Sequence, residues 1–174
     1  MANLNNPAGV AVDSTGNVYV ADTGNHVILK IPSGGTSVVW AGQVGASGYL
    51  EGSGTAAKFW MPKGLAVDAS GNVYVADSLN SAIRTITSNG AVSTLAGPSD
   101  QSTGLIDGKG TTARFLYPQG VAVGADGTVY VADTTNNAVR MILTGGGVNT
   151  LAGQGNAIYG LVDGAPTGAK FNSP

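Results

Sequence analysis

Short apolar runs alternate with polar turns along the chain. The first four runs are GVAVD from Gly9, VYVAD from Val18, VILKI from Val27 and SVVWAG from Ser37. They are rich in Val, Ile and Tyr, and the segments between them hold Gly, Ser, Asn and Asp, a pattern typical of β-strands joined by tight turns. No segment has the helical spacing of apolar residues over ten positions. The pattern predicts four antiparallel strands in the first third of the chain.

This strand pattern returns twice more. GNVYVAD at 16–22 is repeated letter for letter at 71–77, and it returns as GTVYVAD at 127–133. Prolines mark the same position of the repeat at intervals of 55, 56 and 56 residues: Pro7, Pro62, Pro118 and Pro174. A fixed period of this length indicates a repeat architecture. We therefore expect one domain over residues 1–174, with repeats at about 7–61, 62–117 and 118–174.

The first two strands of each repeat are apolar on both faces, as in VYVA at 18–21. Continuous apolar runs of this kind are typical of strands that are covered on both sides. Four-stranded antiparallel units that are covered on both sides and repeated in series indicate a β-propeller. Small residues on these strands, such as Gly9, Ala11 and Ala21, suit blades that crowd together near a central axis. The sequence therefore predicts an all-β propeller with three four-stranded blades per chain.

The motifs of the repeats resemble those of the NHL-repeat family. The first repeat has PxGVAVDxxGNVYVAD followed by NHVI at 25–28, close to the Asn-His-Leu signature for which the family is named. The other repeats keep the Asn but not the His, as NSAI from Asn80 and NNAV from Asn136. The segment AG…DGxGTxARF..P at 96–118 resembles the extended repeats of bacterial NHL propellers and of teneurin-like proteins. The resemblance covers essentially the whole chain.

The resemblance implies a propeller fold, which serves scaffolds, receptors, RNA-binding proteins and a few lyases and lactonases. It therefore indicates a fold but does not select one activity. Proteins of this kind are often bacterial and extracytoplasmic. The sequence from Met1 lacks the basic and apolar segments of a signal peptide. We expect a soluble protein, and the sequence does not specify its compartment.

Three blades are too few for a closed ring, because propellers usually have about four to eight. An open arc would leave an apolar sheet face bare at each end, and monomers rarely expose large apolar patches. We predict that two chains associate head to tail in a six-bladed homodimer with twofold symmetry, each blade being complete within one chain. A nine-bladed homotrimer is the alternative. NLNNP at the start and KFNSP at the end share one register, which favours a half-propeller cut, naturally or by engineering, at a repeat boundary.

Composition narrows the range of partners. Charged residues make up 10% of the chain, the net charge is −2, and no run of Lys or Arg supplies the basic surface that nucleic acids require. The apolar runs are too short to span a membrane. With no Cys and the single His26, disulfides, thiolate catalysis and His- or Cys-rich metal sites are excluded. We predict no cofactor, no metal, and no nucleic-acid or membrane partner; a second copy, another protein or a small ligand are the expected partners.

Binding residues are expected in the connectors, the long segments at 43–61, 98–117 and 154–173. Loops of this kind on a rigid scaffold commonly carry binding sites. Acidic residues recur there seven positions before basic ones: Glu51, Asp107 and Asp163 before Lys58, Arg114 and Lys170. One interpretation of these residues is two charged rings that bind a polar ligand. The other is a local role, either an ion pair or a turn within each connector. The aromatic candidates are Trp60, Tyr117 and Tyr159, whereas packing between blades is predicted for Phe59, Phe115 and Phe171.

The second strands end at acidic residues, each with an Asn three positions later: Asp22, Asp77 and Asp133. In a dimer these carboxylates suit a Ca²⁺ ion, because hard oxygen ligands bind it. Each Asp can instead close its own turn, and His26 is interpreted as a turn residue. The predicted function is a non-enzymatic, self-assembling propeller scaffold that binds partners at the connectors. The alternative is a lactonase- or lyase-like enzyme that uses channel carboxylates and a divalent cation.

Overall fold

The structure is a computed structural model that describes residues 3–153, 155, 160–166 and 168–174. These residues form three antiparallel β-sheets, which we call blades 1, 2 and 3. Blade 1 contains β1 (Pro7–Val12), β2 (Val18–Asp22), β3 (Val27–Ile31) and β4 (Val38–Ala41). Blade 2 contains β5 (Gly52–Ser53), β6 (Pro62–Val67), β7 (Val73–Asp77), β8 (Ala82–Ile86) and β9 (Ala91–Ala96). Blade 3 contains β10 (Gly108–Lys109), β11 (Gly120–Val123), β12 (Val129–Asp133), β13 (Ala138–Ile142) and β14 (Gly147–Ala152).

The four long strands of each blade have the same order and the same register in all three blades. In the central pair of strands, Val20 lies opposite Leu29, Val75 opposite Arg84, and Val131 opposite Arg140. A one-turn 3-10 helix joins the central strands of each blade, at Thr23–Asn25, Ser78–Asn80 and Thr134–Asn136. The predicted all-β architecture of three repeated antiparallel sheets is therefore confirmed. The described residues include no helix that is long and apolar enough to cross a membrane.

Blades 2 and 3 each contain a fifth strand that the sequence analysis did not predict. β5 belongs to the connector after blade 1, yet it pairs with β9, the outer strand of blade 2. β10 belongs to the next connector and pairs with β14 in the same way. Blades 2 and 3 are therefore each formed within one chain, but each takes one strand from the preceding repeat. These strands have only two residues each, so the outer strand of the following repeat determines their conformation.

The first strands of the blades lie side by side, with β6 between β1 and β11. A Cβ atom added at Gly64 would lie 2.5 Å from the carbonyl oxygen of Gln119, and one added at Gly9 would overlap the carbonyl oxygen of Lys63. Only glycine, which has no side chain, allows two backbones to approach this closely. The prediction that small residues on the first strands permit close blade packing is confirmed at Gly9.

Apolar side chains fill the space between neighbouring blades. The cluster between blades 1 and 2 includes Tyr19, Ile28, Phe59, Val73 and Val75. The cluster between blades 2 and 3 includes Ile83, Phe115, Val131 and Ile142. Phe59 and Phe115 come from the connectors and are fully buried, which confirms their predicted packing role. The third member of this set, Phe171, is only half-buried.

The two outer faces of the arc are more exposed than the faces between blades. Val10 on blade 1 is 65% exposed, whereas Leu65 at the same position of blade 2 is 8% exposed. Tyr130 on blade 3 is 36% exposed, whereas Tyr19 at the same position of blade 1 is 2% exposed. In the described part of the chain no sheet covers these outer faces. Each end of the arc therefore presents apolar side chains that elsewhere lie between two blades.

We expect Gly64→Ala to destabilise the fold by about 1–3 kcal/mol, the usual cost of overpacking, because its new methyl group collides with the backbone at Gln119. Gly120→Ala is the matched control. Gly120 occupies the same position on blade 3, where an added Cβ would approach only the methyl group of Ala132, at 3.1 Å. Urea unfolding at low protein concentration checks both variants, and equal losses would contradict the close approach of the first strands.

Candidate functional site

The connectors and the 3-10 helices lie at the same end of the blades. The Thr23 hydroxyl donates a hydrogen bond to the Pro62 carbonyl at 2.6 Å, so the first 3-10 helix contacts the residue that directly follows the first connector. The Leu79 amide donates to the Trp60 carbonyl at 3.1 Å, and the Thr135 amide to the Leu116 carbonyl at 3.2 Å. We call this end of the molecule the connector face.

A groove of about 280 Å³ lies on the connector face between blades 2 and 3. Its lining includes Met61, Lys63, Leu79, Tyr117 and Gln119. The Lys63 ammonium group donates to the Gln119 side-chain oxygen at 2.9 Å, and Tyr117 is exposed. The groove therefore offers a cation, an amide and an aromatic ring, a combination that can bind a small polar ligand.

The other aromatic candidates have different surroundings. Trp60 is half-buried, and its backbone amide donates to the Asp77 carboxylate at 2.8 Å. Tyr159 lies outside the described residues. Of the three aromatic candidates, the structure thus places Tyr117 at the groove.

The acidic connector residues contact the blade that follows them. The Glu51 carboxylate accepts a hydrogen bond from the Thr94 amide at 2.8 Å. The Asp107 carboxylate accepts from the Thr150 hydroxyl at 3.0 Å and from Arg140 at 2.7 Å. Asp163, in the third connector, is exposed. Glu51 and Asp107 therefore join each connector to the outer strands of the next blade.

The basic connector residues do not pair with these carboxylates in the described part of the chain. Of the alternatives predicted for these residues, an ion pair within the connector is therefore wrong for Glu51 with Lys58 and for Asp107 with Arg114. The Arg114 guanidinium instead donates to the carbonyls of Thr111 and Ala113 in its own connector. The basic residues share a backbone role, because each pairs with an apolar residue eight positions earlier: Lys58 with Leu50, Arg114 with Ile106, and Lys170 with Val162.

A buried Asp, Asn and Arg form a polar cluster inside blade 2. The Asp77 carboxylate accepts hydrogen bonds from the Trp60 amide at 2.8 Å, the Asn80 side chain at 2.8 Å and the Arg84 guanidinium at 3.0 Å. Burial raises the pKa of Asp77 to about 6, while the charge of Arg84 and the donated hydrogen bonds oppose the shift. Both side chains of the Asp77–Arg84 ion pair are fully buried.

Blade 3 repeats this cluster with Asp133, Asn136 and Arg140. Burial raises the pKa of the Asp133 carboxyl as well. In both blades the Asn side chain binds the carboxylate across the turn after the second strand, which confirms the interpretation of Asp77 and Asp133 as residues that close their own turns. The carboxylates also accept a backbone amide of the incoming connector, from Trp60 and from Leu116. Among the described residues, no three or more His, Cys, Asp or Glu side chains are grouped so that they could hold a metal ion.

Arg84 and Arg140, which we call the anchor arginines, also bind the incoming connectors. Arg84 donates to the Leu50 carbonyl at 3.2 Å and to the Lys58 carbonyl at 3.5 Å. Its guanidinium carbon lies 4.5 Å from the centre of the Tyr49 ring, a distance that allows a cation–π contact. Arg140 donates in the same way to Ile106 and Arg114, at 2.9 and 3.0 Å.

The anchor arginines were not among the residues predicted from the sequence. The available signal was a charged residue in the middle of an otherwise apolar third strand, in AIRTI at 82–86 and AVRMI at 138–142. Blade 1 has no anchor arginine, because Leu29 occupies that position. The Asp22 carboxylate accordingly accepts hydrogen bonds from the Asn5 amide and the Asn25 side chain, both at 2.7 Å.

The structure confirms the interpretation of His26 as a turn residue. It follows the first 3-10 helix in a left-handed conformation with φ of 61°. Its Nδ1 atom accepts a hydrogen bond from the Met61 amide at 3.2 Å. Asn137 has the same role in blade 3, where its side-chain oxygen accepts from the Ser173 amide at 2.8 Å. In blades 1 and 3 this position therefore joins the turn to the connector after it, whereas the Ser81 hydroxyl at the same position of blade 2 is buried without such a bond.

Comparison with known proteins identifies the family. The NHL repeat model matches residues 4–31 and 115–140, and the model of the teneurin NHL domain matches residues 43–104. The chain belongs to the NHL-repeat β-propeller family.

Two curated relatives and one solved structure are similar to the chain. Protein SUPPRESSOR OF QUENCHING 1 of Arabidopsis thaliana is 36% identical over 49% of the chain, and human NHL repeat-containing protein 2 is 35% identical over 56% of it. The matches span 8% and 14% of those two proteins. A Bacteroides thetaiotaomicron structural genomics protein of unknown function superposes on 97% of the chain and 40% of its own length, with a TM-score of 0.76 and 28% identity. The matches thus span at most 40% of each of these proteins.

We expect Arg84→Leu to destabilise the protein by about 3–5 kcal/mol, because the change leaves the Asp77 carboxylate buried without its charged partner. Leu is the residue that blade 1 carries at this position. Arg114→Leu is the control, since its guanidinium binds only carbonyls of its own connector, and we expect a change within about 0.5 kcal/mol, as at other surface sites. Urea unfolding measures both. Similar losses for the two variants would contradict the role assigned to the buried ion pair.

Proposed function

We propose that the chain is a non-enzymatic, self-assembling NHL propeller scaffold in which two copies close a six-bladed ring and partners bind at the connector face. The observation that carries this proposal is the pair of exposed outer faces on blades 1 and 3. These faces carry the same kinds of side chain that are buried between blades inside the chain. Association of the two faces would bury both.

The two outer faces are complementary halves of one repeated interface. The outer face of blade 1 includes Val10 and Val12, which are both exposed. Their counterparts on blades 2 and 3 contact the preceding blade, as Leu65 does. The outer face of blade 3 includes Ala122 and Tyr130, which line a shallow apolar groove. Because the internal interfaces already join these two kinds of surface, a second copy can repeat the same contact.

The first strand of blade 3 also supports this association. Gly120 is the counterpart of Gly9 and Gly64, whose missing side chains let the first strand of the next blade approach. No strand of the described residues lies in front of Gly120. A second copy that places its β1 there would use this small residue for the same close approach.

The number of blades favours a dimer. Two chains give six blades, which lies within the usual range of about four to eight, and a head-to-tail pair with equal contacts at both ends closes with twofold symmetry. A trimer would give nine blades, just above that range. The ring would carry the groove of Met61, Lys63 and Tyr117 once per chain on the connector face, where a ligand or partner protein would bind.

We expect light scattering coupled to gel filtration to give twice the chain mass of 17.2 kDa at micromolar concentration. Ala122→Arg should give the monomer mass, because it places a charge on the outer face of blade 3. Ala125→Arg, which adds the same charge in an exposed hairpin turn, should leave the dimer intact. A monomeric wild-type chain, or equal masses for the two variants, would contradict the proposal. A mass three times that of the chain would show that the ring is the nine-bladed trimer and not the six-bladed dimer.

The non-enzymatic part of the proposal is tested with Ca²⁺. We expect millimolar Ca²⁺ to leave the unfolding temperature unchanged, because the Asp77 and Asp133 carboxylates are already bound by arginine and asparagine side chains. Preferential binding of an ion to the folded protein would raise the unfolding temperature. Mg²⁺ at the same ionic strength is the control. A rise that is specific to Ca²⁺ would favour the alternative enzyme that uses channel carboxylates and a cation.

A further inference from the structure

Blades 2 and 3 each receive the connector from the preceding repeat in the same way. The connector adds a two-residue strand to the outer edge of the blade. The last residue of the 3-10 helix, an Asn, donates a side-chain hydrogen bond to a glycine carbonyl of the connector. Asn80 donates to the Gly48 carbonyl at 2.8 Å, and Asn136 donates to the Gly104 carbonyl at 2.7 Å. The anchor arginine then binds two further connector carbonyls. A received connector is thus held by an edge strand, an asparagine and an arginine.

Blade 1 has the corresponding surface, but within the described residues no connector enters it. Its outer strand β4 has no fifth strand beside it within the described residues. Residues of the N-terminal segment occupy the polar positions instead, because the Asn25 side chain donates to the Asn3 carbonyl at 3.0 Å and Asp22 accepts from the Asn5 amide. A groove of about 350 Å³ remains beside them, lined in part by Asp22, Asn25, Leu29 and Val44.

The described part of the third connector has the same backbone pairing as the other two, and no blade of the described residues follows it. The backbones of Val162 and Lys170 pair with each other, as Leu50 pairs with Lys58 and Ile106 with Arg114. Leu161 is 97% exposed, whereas its counterpart Tyr49 packs on an anchor arginine in blade 2. The described residues of this connector therefore present a side chain and carbonyl groups that the first two connectors use against a following blade.

We infer that the connector residues 160–166 of one copy supply the fifth strand on blade 1 of the other copy, and that Leu29 sets the strength of this contact. The inference rests on the proposed ring. By the shared register, Gly164 and Ala165 would pair with Ser37 and Thr36 of the other copy, as Gly52 and Ser53 pair with Val92 and Ala91.

The N-terminal segment must leave blade 1 when the connector enters. By the shared register, the Gly160 carbonyl replaces the Asn3 carbonyl on Asn25, and the Asn172 amide replaces the Asn5 amide on Asp22. This exchange conserves the number of hydrogen bonds, so it gives little net affinity. The affinity of the connector for blade 1 then depends on further contacts. In blades 2 and 3 the anchor arginine supplies such contacts, but Leu29 has no donor for the carbonyls of Val162 and Lys170.

The test is Leu29→Arg, which gives blade 1 the residue found in blades 2 and 3. We expect the dissociation constant of the dimer to fall at least about tenfold, because hydrogen bonds from a charged donor to the two connector carbonyls are added. Leu29→Met, an apolar side chain of similar volume without a donor, is the matched control and should leave the dissociation constant unchanged. Sedimentation over a dilution series of all three proteins provides the constants.

The outcomes separate the inference from the proposed ring. If wild type and Leu29→Met form dimers and Leu29→Arg is no tighter than either, the inference is overturned while the ring stands. If none of the three proteins associates at any concentration, the ring itself fails and the inference fails with it. If Leu29→Arg associates more tightly than wild type and Leu29→Met does not, the result supports both the ring and the inference.

A cysteine pair locates the contact independently, because the chain contains no Cys. Thr36→Cys combined with Ala165→Cys should give a covalent dimer on oxidation, since these residues would face each other only across two copies. Ser53→Cys combined with Ala91→Cys is the control within one chain, where the two residues already pair, and it should give an internal disulfide. A Thr36→Cys/Ala165→Cys protein that stays monomeric under oxidation, while the control forms its disulfide, would overturn the inference.

Discussion

Each blade of this chain depends on its neighbours for burial. A sheet whose first and second strands are apolar on both faces cannot satisfy both faces alone, so blades must pack against one another in series. The glycines at positions 9 and 64 set how closely the first strands approach, and the apolar clusters on either side of blade 2 follow from that approach. The same requirement applies to the exposed faces of blades 1 and 3, and it is the physical basis of the proposed assembly.

The anchor arginines connect this packing to the connector face. Arg84 is bound to Asp77 within its own blade and to two carbonyls of the connector that enters from the preceding repeat. A single buried cation thereby fixes the end of a strand, the path of a long loop and the relation of two repeats. Because its charge is removed from water, the arrangement is stable only when all partners are present. Blade 1, where Leu29 replaces the arginine, is consequently the natural place for a contact that can form and separate.

Strand positions could be predicted from the sequence because each strand is a short apolar run bounded by turn residues, as in VYVAD at 18–22. The buried roles of Phe59 and Phe115 also followed from their recurrence. The fifth strands could not be predicted in this way, since Gly52 and Ser53 carry no apolar signal and are extended only because β9 lies beside them.

The candidate site was less predictable for a related reason. The most important partners of Arg84 are backbone carbonyls in a different repeat, and no residue type marks a carbonyl acceptor. The charges of Glu51 and Lys58 suggested a pair within the connector, yet Glu51 binds the Thr94 amide of the following blade. Sequence recurrence thus located the important segments, whereas the contacts between repeats required the structure.

The most direct test of the account is hydroxyl-radical footprinting of Tyr130 as a function of protein concentration. Tyr130 lies on the outer face of blade 3, and Tyr117 on the connector face is the internal reference because it is exposed within the chain and lies away from the proposed contact. If two copies close the ring, labelling of Tyr130 falls as the protein concentration rises, to the level of the buried Tyr19, while labelling of Tyr117 stays constant. Labelling of Tyr130 that is independent of concentration and well above that of Tyr19 would show that the outer face stays open and would contradict the account.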